Sequence, residues 1–111
     1  MDTRLRYQEL IKKVLREYAQ YRPAYGDIDS RVVFDDEHGS YALLQLGWDM
    51  NGRVHDCVIH IDLVGEKIWI QSDGTEDGVA CDFVEAGVPK EHIVLGFRPP
   101  KIRPLTEFAV E

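Results

Sequence analysis

Between Thr3 and Tyr21 the apolar positions Tyr7, Leu10, Ile11, Val14, Leu15 and Tyr18 recur at the i, i+3, i+4, i+7 spacing of one helical face. That spacing predicts an amphipathic helix whose other side, Arg6, Glu9, Lys13, Arg16 and Glu17, is solvated. Glu9–Lys13 and Lys13–Glu17 fall at the i,i+4 separation of helical ion pairs. Pro23 and Gly26 are expected to close the segment.

From Asp29 onward the period shortens to two, and Arg31–Asp35, Tyr41–Trp48, Val54–Val64 and Lys67–Gln71 read as strands separated by turn-forming clusters. Asn51-Gly52 is the sharpest turn signal. A two-residue type I′ turn there pairs Met50 with Arg53 and places Trp48 opposite His55, Leu46 opposite Cys57, Leu44 opposite Ile59 and Ala42 opposite Ile61. A second tight turn at Gly65-Glu66 sets Leu63 against Ile68 and Ile61 against Ile70. The apolar face of Leu44, Leu46, Ile59, Ile61, Ile68 and Ile70 is then expected to receive the helices. The opposite face combines Tyr41, Leu43, Gln45, Asp56, Val58, His60, Asp62, Trp69 and Gln71, a mixture of aromatic and polar groups suited to association.

Thr75 stands where it can cap a short second helix over residues 76–86, with Glu76 and Asp77 at its positive dipole end and Gly87 as its stop. Ile93–Phe97 suits a further strand. The tail, from Arg98-Pro99-Pro100 to Pro104, lacks consecutive backbone N–H groups and is expected to run extended. The chain of 111 residues thus reads as one α+β domain over 1–111: N-terminal helix, antiparallel β-meander of about four strands, second short helix and extended Pro-rich C-terminal segment.

Charge narrows the function. The net charge of −7 is the wrong sign for broad attraction to nucleic acid or to an anionic bilayer. Residues 1–26 carry 6 basic and 3 acidic side chains, whereas 27–98 carry 5 and 15, so only the helical segment is basic. No apolar run approaches a membrane span and MDTRLRYQEL has no signal-peptide block, so a cytoplasmic protein is expected. Two cysteines, Cys57 on the apolar sheet face and Cys81 in the second helix, are expected to be reduced, buried thiols rather than nucleophiles.

No HExxH, GxSxG, GxxxxGK[ST], GxGxxG or paired CxxC motif occurs. The best residual constellation is Asp56, His60 and Asp62, projecting from one strand face toward a possible divalent metal; neighbours two apart run nearly parallel and converge poorly on one ion, so no metal or cofactor is expected. The acidic loop Asp73–Asp77 reads as a turn and a helix cap rather than a cation site.

Gly47-Trp48, Val58-Ile59-His60-Ile61-Asp62, Lys67-Ile68-Trp69-Ile70-Gln71, Asp73-Gly74-Thr75-Glu76 and the run from Gly87-Val88-Pro89 to Arg98-Pro99-Pro100 together resemble the XisI family, the fdxN element excision controlling factors of cyanobacteria. The resemblance extends from Tyr7 to Val110; Arg98 stands where His or Gln is common and Leu105 where an aromatic residue is common. It implies a small α+β protein acting with XisH and the recombinase XisF in excising a DNA element during heterocyst development, and no catalytic residue. XisH resembles an endonuclease-type fold. Joined to the acidic charge, the resemblance points to a non-catalytic partner of an XisH-like protein, with direct DNA binding as the second reading and a metal-dependent enzyme using Asp56, His60 and Asp62 as the third. The expected partner-binding residues are Tyr41, Leu43, His60 and Trp69 with Phe97, Arg98, Pro99, Pro100, Arg103 and Phe108 of the tail. Trp69 carries the argument: it alternates away from Ile68 and Ile70, so the tail, a partner or a second copy in a homodimer must cover it.

Overall fold

The computed structural model describes residues 3–20 and 27–111. The expected closure at Pro23 and Gly26 lies outside them. Helix α1 spans Thr3–Ala19 and buries Tyr7, Ile11, Val14 and Leu15, with Leu10 and Tyr18 at the margin of the core, so the whole predicted stripe is used. Glu9 is engaged by Lys12 at 3.2 Å rather than by Lys13; Lys12 also reaches Asp36 at 2.9 Å and ties the helix to the sheet.

The sheet has five strands in the order β1 (Asp27–Asp35), β2 (Ser40–Asp49), β3 (Gly52–Val64), β4 (Lys67–Asp73) and β5 (Ile93–Leu95). The first four form an antiparallel meander and β5 joins β4 in parallel. At Gly47 the β1 backbone leaves no room for a side chain: a Cβ there would stand 1.9 Å from the carbonyl oxygen of Asp27.

Two β-bulges determine which side chains face the helices. The β2–β3 turn is formed by Met50 and Asn51, with Asp49 opposite Gly52. No described residue other than glycine has positive φ, so Asn51 is not in the conformation a type I′ turn requires. Instead the Asp49 carboxylate accepts the Asn51 N–H at 2.8 Å, an Asx-type turn that ends in Gly52 at φ +119°. From there Leu46 opposes His55 and Leu44 opposes Cys57, until a bulge inserts Val58 and Leu43 meets Ile59. One extra residue exchanges the two parities. Tyr41 and Leu43, expected on the mixed face, therefore join Ile59, Ile61, Leu63, Ile68 and Ile70 in the core. Leu44 and Leu46, expected in the core, alternate onto the open face. A second bulge, between His60 and Ile61, leaves Ile61 opposite Ile70 and Leu63 opposite Ile68, as the Gly65-Glu66 turn predicts.

Helix α2 is shorter than predicted, Ala80–Glu85. The Asp73 carboxylate accepts the N–H groups of Thr75 (2.9 Å) and Val79 (2.7 Å), and Thr75 Oγ accepts the Gly78 N–H at 3.2 Å, so residues 74–79 are held as turns and helical pairing is delayed. The C-terminal stop is as expected: Gly87 has φ +98°, its N–H bonds to Val84 O, and the Val88 N–H bonds to Phe83 O. These are the two bonds of a Schellman motif, closed by the buried pair Phe83 and Val88. The tail differs from the extended run predicted from its prolines. Pro99 O accepts the N–H groups of Ile102 and Arg103, and Arg103–Leu105 is a 3-10 turn, because a proline needs no donor at the start of a turn and its carbonyl remains free to accept.

Candidate functional site

Away from the helices, β3 and β4 present His60, Asp62 and Trp69 on the open sheet face. Asp62 is directly opposite Trp69 and also opposite Ser40 of β2. Its Oδ1 accepts the Ser40 hydroxyl at 2.6 Å and lies 3.1 Å from His60 Nε2, and its Oδ2 accepts the Gln71 amide at 3.2 Å. Neutral donors and a half-exposed imidazole thus satisfy this carboxylate, which suits positioning better than proton transfer. Asp56 does not join it. It lies before the Val58 bulge, opposite Gln45 and on the parity of Leu43, so the expected Asp56–His60–Asp62 alignment is broken by the inserted residue. Among the described residues no group of three His, Cys, Asp or Glu side chains could hold a metal ion.

The tail covers Trp69. The Arg103 guanidinium lies 5.1 Å from the centre of the indole ring and donates to three backbone carbonyls: Arg98 (3.0 Å), Val110 (3.3 Å) and Gly96 (3.4 Å). The delocalised cation stacks on an aromatic face while its fork gathers carbonyls of a folded segment. Gly96 makes room for this passage. A Cβ there would fall 2.6 Å from Gln71 Oε1 and 3.2 Å from the Trp69 ring, a requirement that the isolated glycine after Val94-Leu95 signals only once the strand pairing is known.

The remaining predicted site residues divide into two groups. Phe97, Arg98, Pro99 and Pro100 are exposed beside this clamp, with the Arg98 guanidinium 5.2 Å from the Phe97 ring centre. Tyr41, Leu43 and Phe108 are elsewhere. Tyr41 and Leu43 are buried beneath α1, where the Tyr41 hydroxyl donates to Asp36 at 2.8 Å. Phe108 packs toward α2 beside Val84. The thiols depart from expectation too: Cys57 and Cys81 are both exposed, since the Val58 bulge turns Cys57 away from the core and Cys81 lies on the outer side of α2.

On the helix side, Glu17, Tyr18, Gln45, Thr75, Glu76 and Asp82 flank an open groove of about 1000 Å³. Tyr18 donates to Asp82 at 2.6 Å, and burial first, then this bond, raises its hydroxyl pKa. The Asp73–Asp77 loop at its edge is the turn described above.

The XisI protein family model matches residues 1–110. The chain belongs to the XisI family. A XisI-like protein from Anabaena variabilis has a solved structure that is 37% identical, superposes with a TM-score of 0.89 and covers 97% of this chain and 99% of its own. The fdxN element excision controlling factor XisI of the same organism is 30% identical with a TM-score of 0.84, covering 99% of this chain and 100% of its own. No curated protein matches the sequence. The XisI fold therefore comprises the N-terminal helix, the mostly antiparallel sheet and the short second helix described here. None of the helices in the described part is long and apolar enough to cross a membrane.

Proposed function

We propose that this XisI-like chain is a cytoplasmic, non-catalytic accessory protein that binds an XisH-like, endonuclease-like partner and, with a recombinase, controls excision of a DNA element. The observation that carries the reading is the match, along essentially the whole chain, to a protein named as an fdxN element excision controlling factor. The site chemistry supports association: exposed Phe97, flanked by Arg98, Pro99 and Pro100 on a segment held down by the Arg103–Trp69 stack, has the composition of an interface anchor with a polar rim. The net charge of −7 favours a basic partner over the phosphate backbone, so DNA is reached through that partner.

Co-expression of this chain with an XisH-like protein, followed by affinity capture and sizing, tests the reading. A stoichiometric complex is expected, together with a DNA mobility shift only when the partner is present. A salt-sensitive shift by the isolated chain, with no partner capture, would overturn the reading in favour of direct DNA binding.

A further inference from the structure

Strand β1 is the outer strand of the sheet. It pairs with β2 on one side and, among the described residues, with no strand on the other. It is nine residues long, contains neither proline nor lysine and has no bulge against β2, so it lacks several of the devices that ordinarily blunt an edge. Its faces are distinct. Asp29 and Arg31, both exposed, alternate onto the open face opposite Leu46 and Leu44, while Ile28 and Val32 face the helix side opposite Gly47 and Leu43.

We propose that β1 pairs antiparallel with β1 of a second copy of this chain, about a two-fold axis at Ser30, and joins two sheets edge to edge. An axis normal to the sheet keeps the faces in common, so only residues of like parity can be opposed. Centred on Ser30, the pairing opposes Asp29 with Arg31 of the second copy, and the reverse, giving two cross-strand ion pairs on the open face. On the helix face it opposes Ile28 with Val32 twice and prolongs the core across the junction.

Other registers are less favourable. Centring on Asp29 or Arg31 opposes a charge with its own kind, and centring on Val32 sets Asp29 against Asp35. Centring on Val33 opposes Arg31 with Asp35, but it shortens the ladder from residues 27–33 to 31–35 and uses a carboxylate already held by His38 at 2.7 Å. Arg31 is the one cation of a strand that also carries Asp27, Asp29 and Asp35, in a chain of net charge −7, so self-pairing depends on it.

Sedimentation velocity of the purified full-length chain and three variants tests the proposal. The wild type is expected to dimerise. Arg31→Asp should raise the dissociation constant at least about tenfold, because each attraction becomes a repulsion. The double variant Asp29→Arg/Arg31→Asp should restore the dimer by exchanging the signs. Since both residues are exposed, unchanged circular dichroism is expected to separate loss of pairing from loss of fold. A monomeric wild type, a dimer indifferent to Arg31→Asp, or rescue of Arg31→Asp by Asp35→Arg instead of Asp29→Arg would overturn the proposed pairing.

Discussion

Trp69 and Arg103 lie 34 positions apart in sequence, yet the guanidinium of one stands 5.1 Å from the ring centre of the other. This contact fastens the C-terminal turns to the open face of β4. Arg103→Ala removes it together with three bonds to carbonyls. A loss of about 1–2 kcal/mol in denaturant unfolding is expected. Arg103→Lys should recover little of it, since an ammonium cannot stack and reach the same fork of acceptors. Full recovery by lysine would mean that charge alone holds the tail.

Gly47→Ala brings a Cβ to 1.9 Å from Asp27 O, so β1 must part from β2 at its first pairs. A destabilisation of about 2 kcal/mol or more is expected by thermal or denaturant unfolding, with amide exchange accelerated first in β1. Uniform acceleration across the sheet would contradict a local separation.

The two thiols should both be modified by a thiol reagent in the folded protein, because both are exposed. Cys57 should react more slowly than Cys81 near neutral pH. Partial burial of its thiol raises its pKa, and the thiolate is the reacting form. Single Cys→Ser variants assign the rates.

Stability should decline on both sides of neutrality. Hydrogen bonds from Lys12, then Tyr41, hold the Asp36 carboxyl below its ordinary range, and those from His38 do the same for Asp35. Groups whose folded pKa is depressed contribute fully above the unfolded value and lose that contribution as pH falls through the folded one, so the deficit appears below the usual carboxylate range. Tyr18 and Tyr41 are raised by burial and by their bonds to Asp82 and Asp36. Their contribution is complete below the ordinary value near 10 and is lost as pH rises beyond it. Unfolding midpoints for the wild type and Asp36→Asn should converge at acid pH; parallel curves would show that Asp36 has no part in the acid limb.

The helix stripe, the Gly65-Glu66 register, the Gly87 stop and β5 were all legible because each depends on local period or on a residue with special backbone freedom. The faces of β2 were not. They turn on Val58, which has no compositional mark of a bulge and is left unpaired where the register shifts between Leu43 and Leu44. That single residue reassigned Tyr41, Leu43, Leu44, Leu46, Cys57 and Asp56 together. Trp69 and His60 do lie on the face expected of them, since they follow the Ile68 and Ile61 parity correctly. Arg103's role escaped the sequence because a cation's partner, here an indole and three carbonyls, depends on how the tail turns.

The central claim, that the open face beside the tail binds an XisH-like protein, is tested most directly by calorimetric titration of that partner with wild type, Phe97→Glu and Met50→Glu. Phe97 is exposed beside the Trp69 clamp, and Met50 is 94% exposed at the tip of the β2–β3 hairpin, so both variants should stay folded. The expected result is saturable binding by wild type and Met50→Glu, with affinity for Phe97→Glu reduced by more than about tenfold, the scale of a hot-spot change. Equal affinity for all three proteins, or weakening by Met50→Glu alone, would contradict the claim.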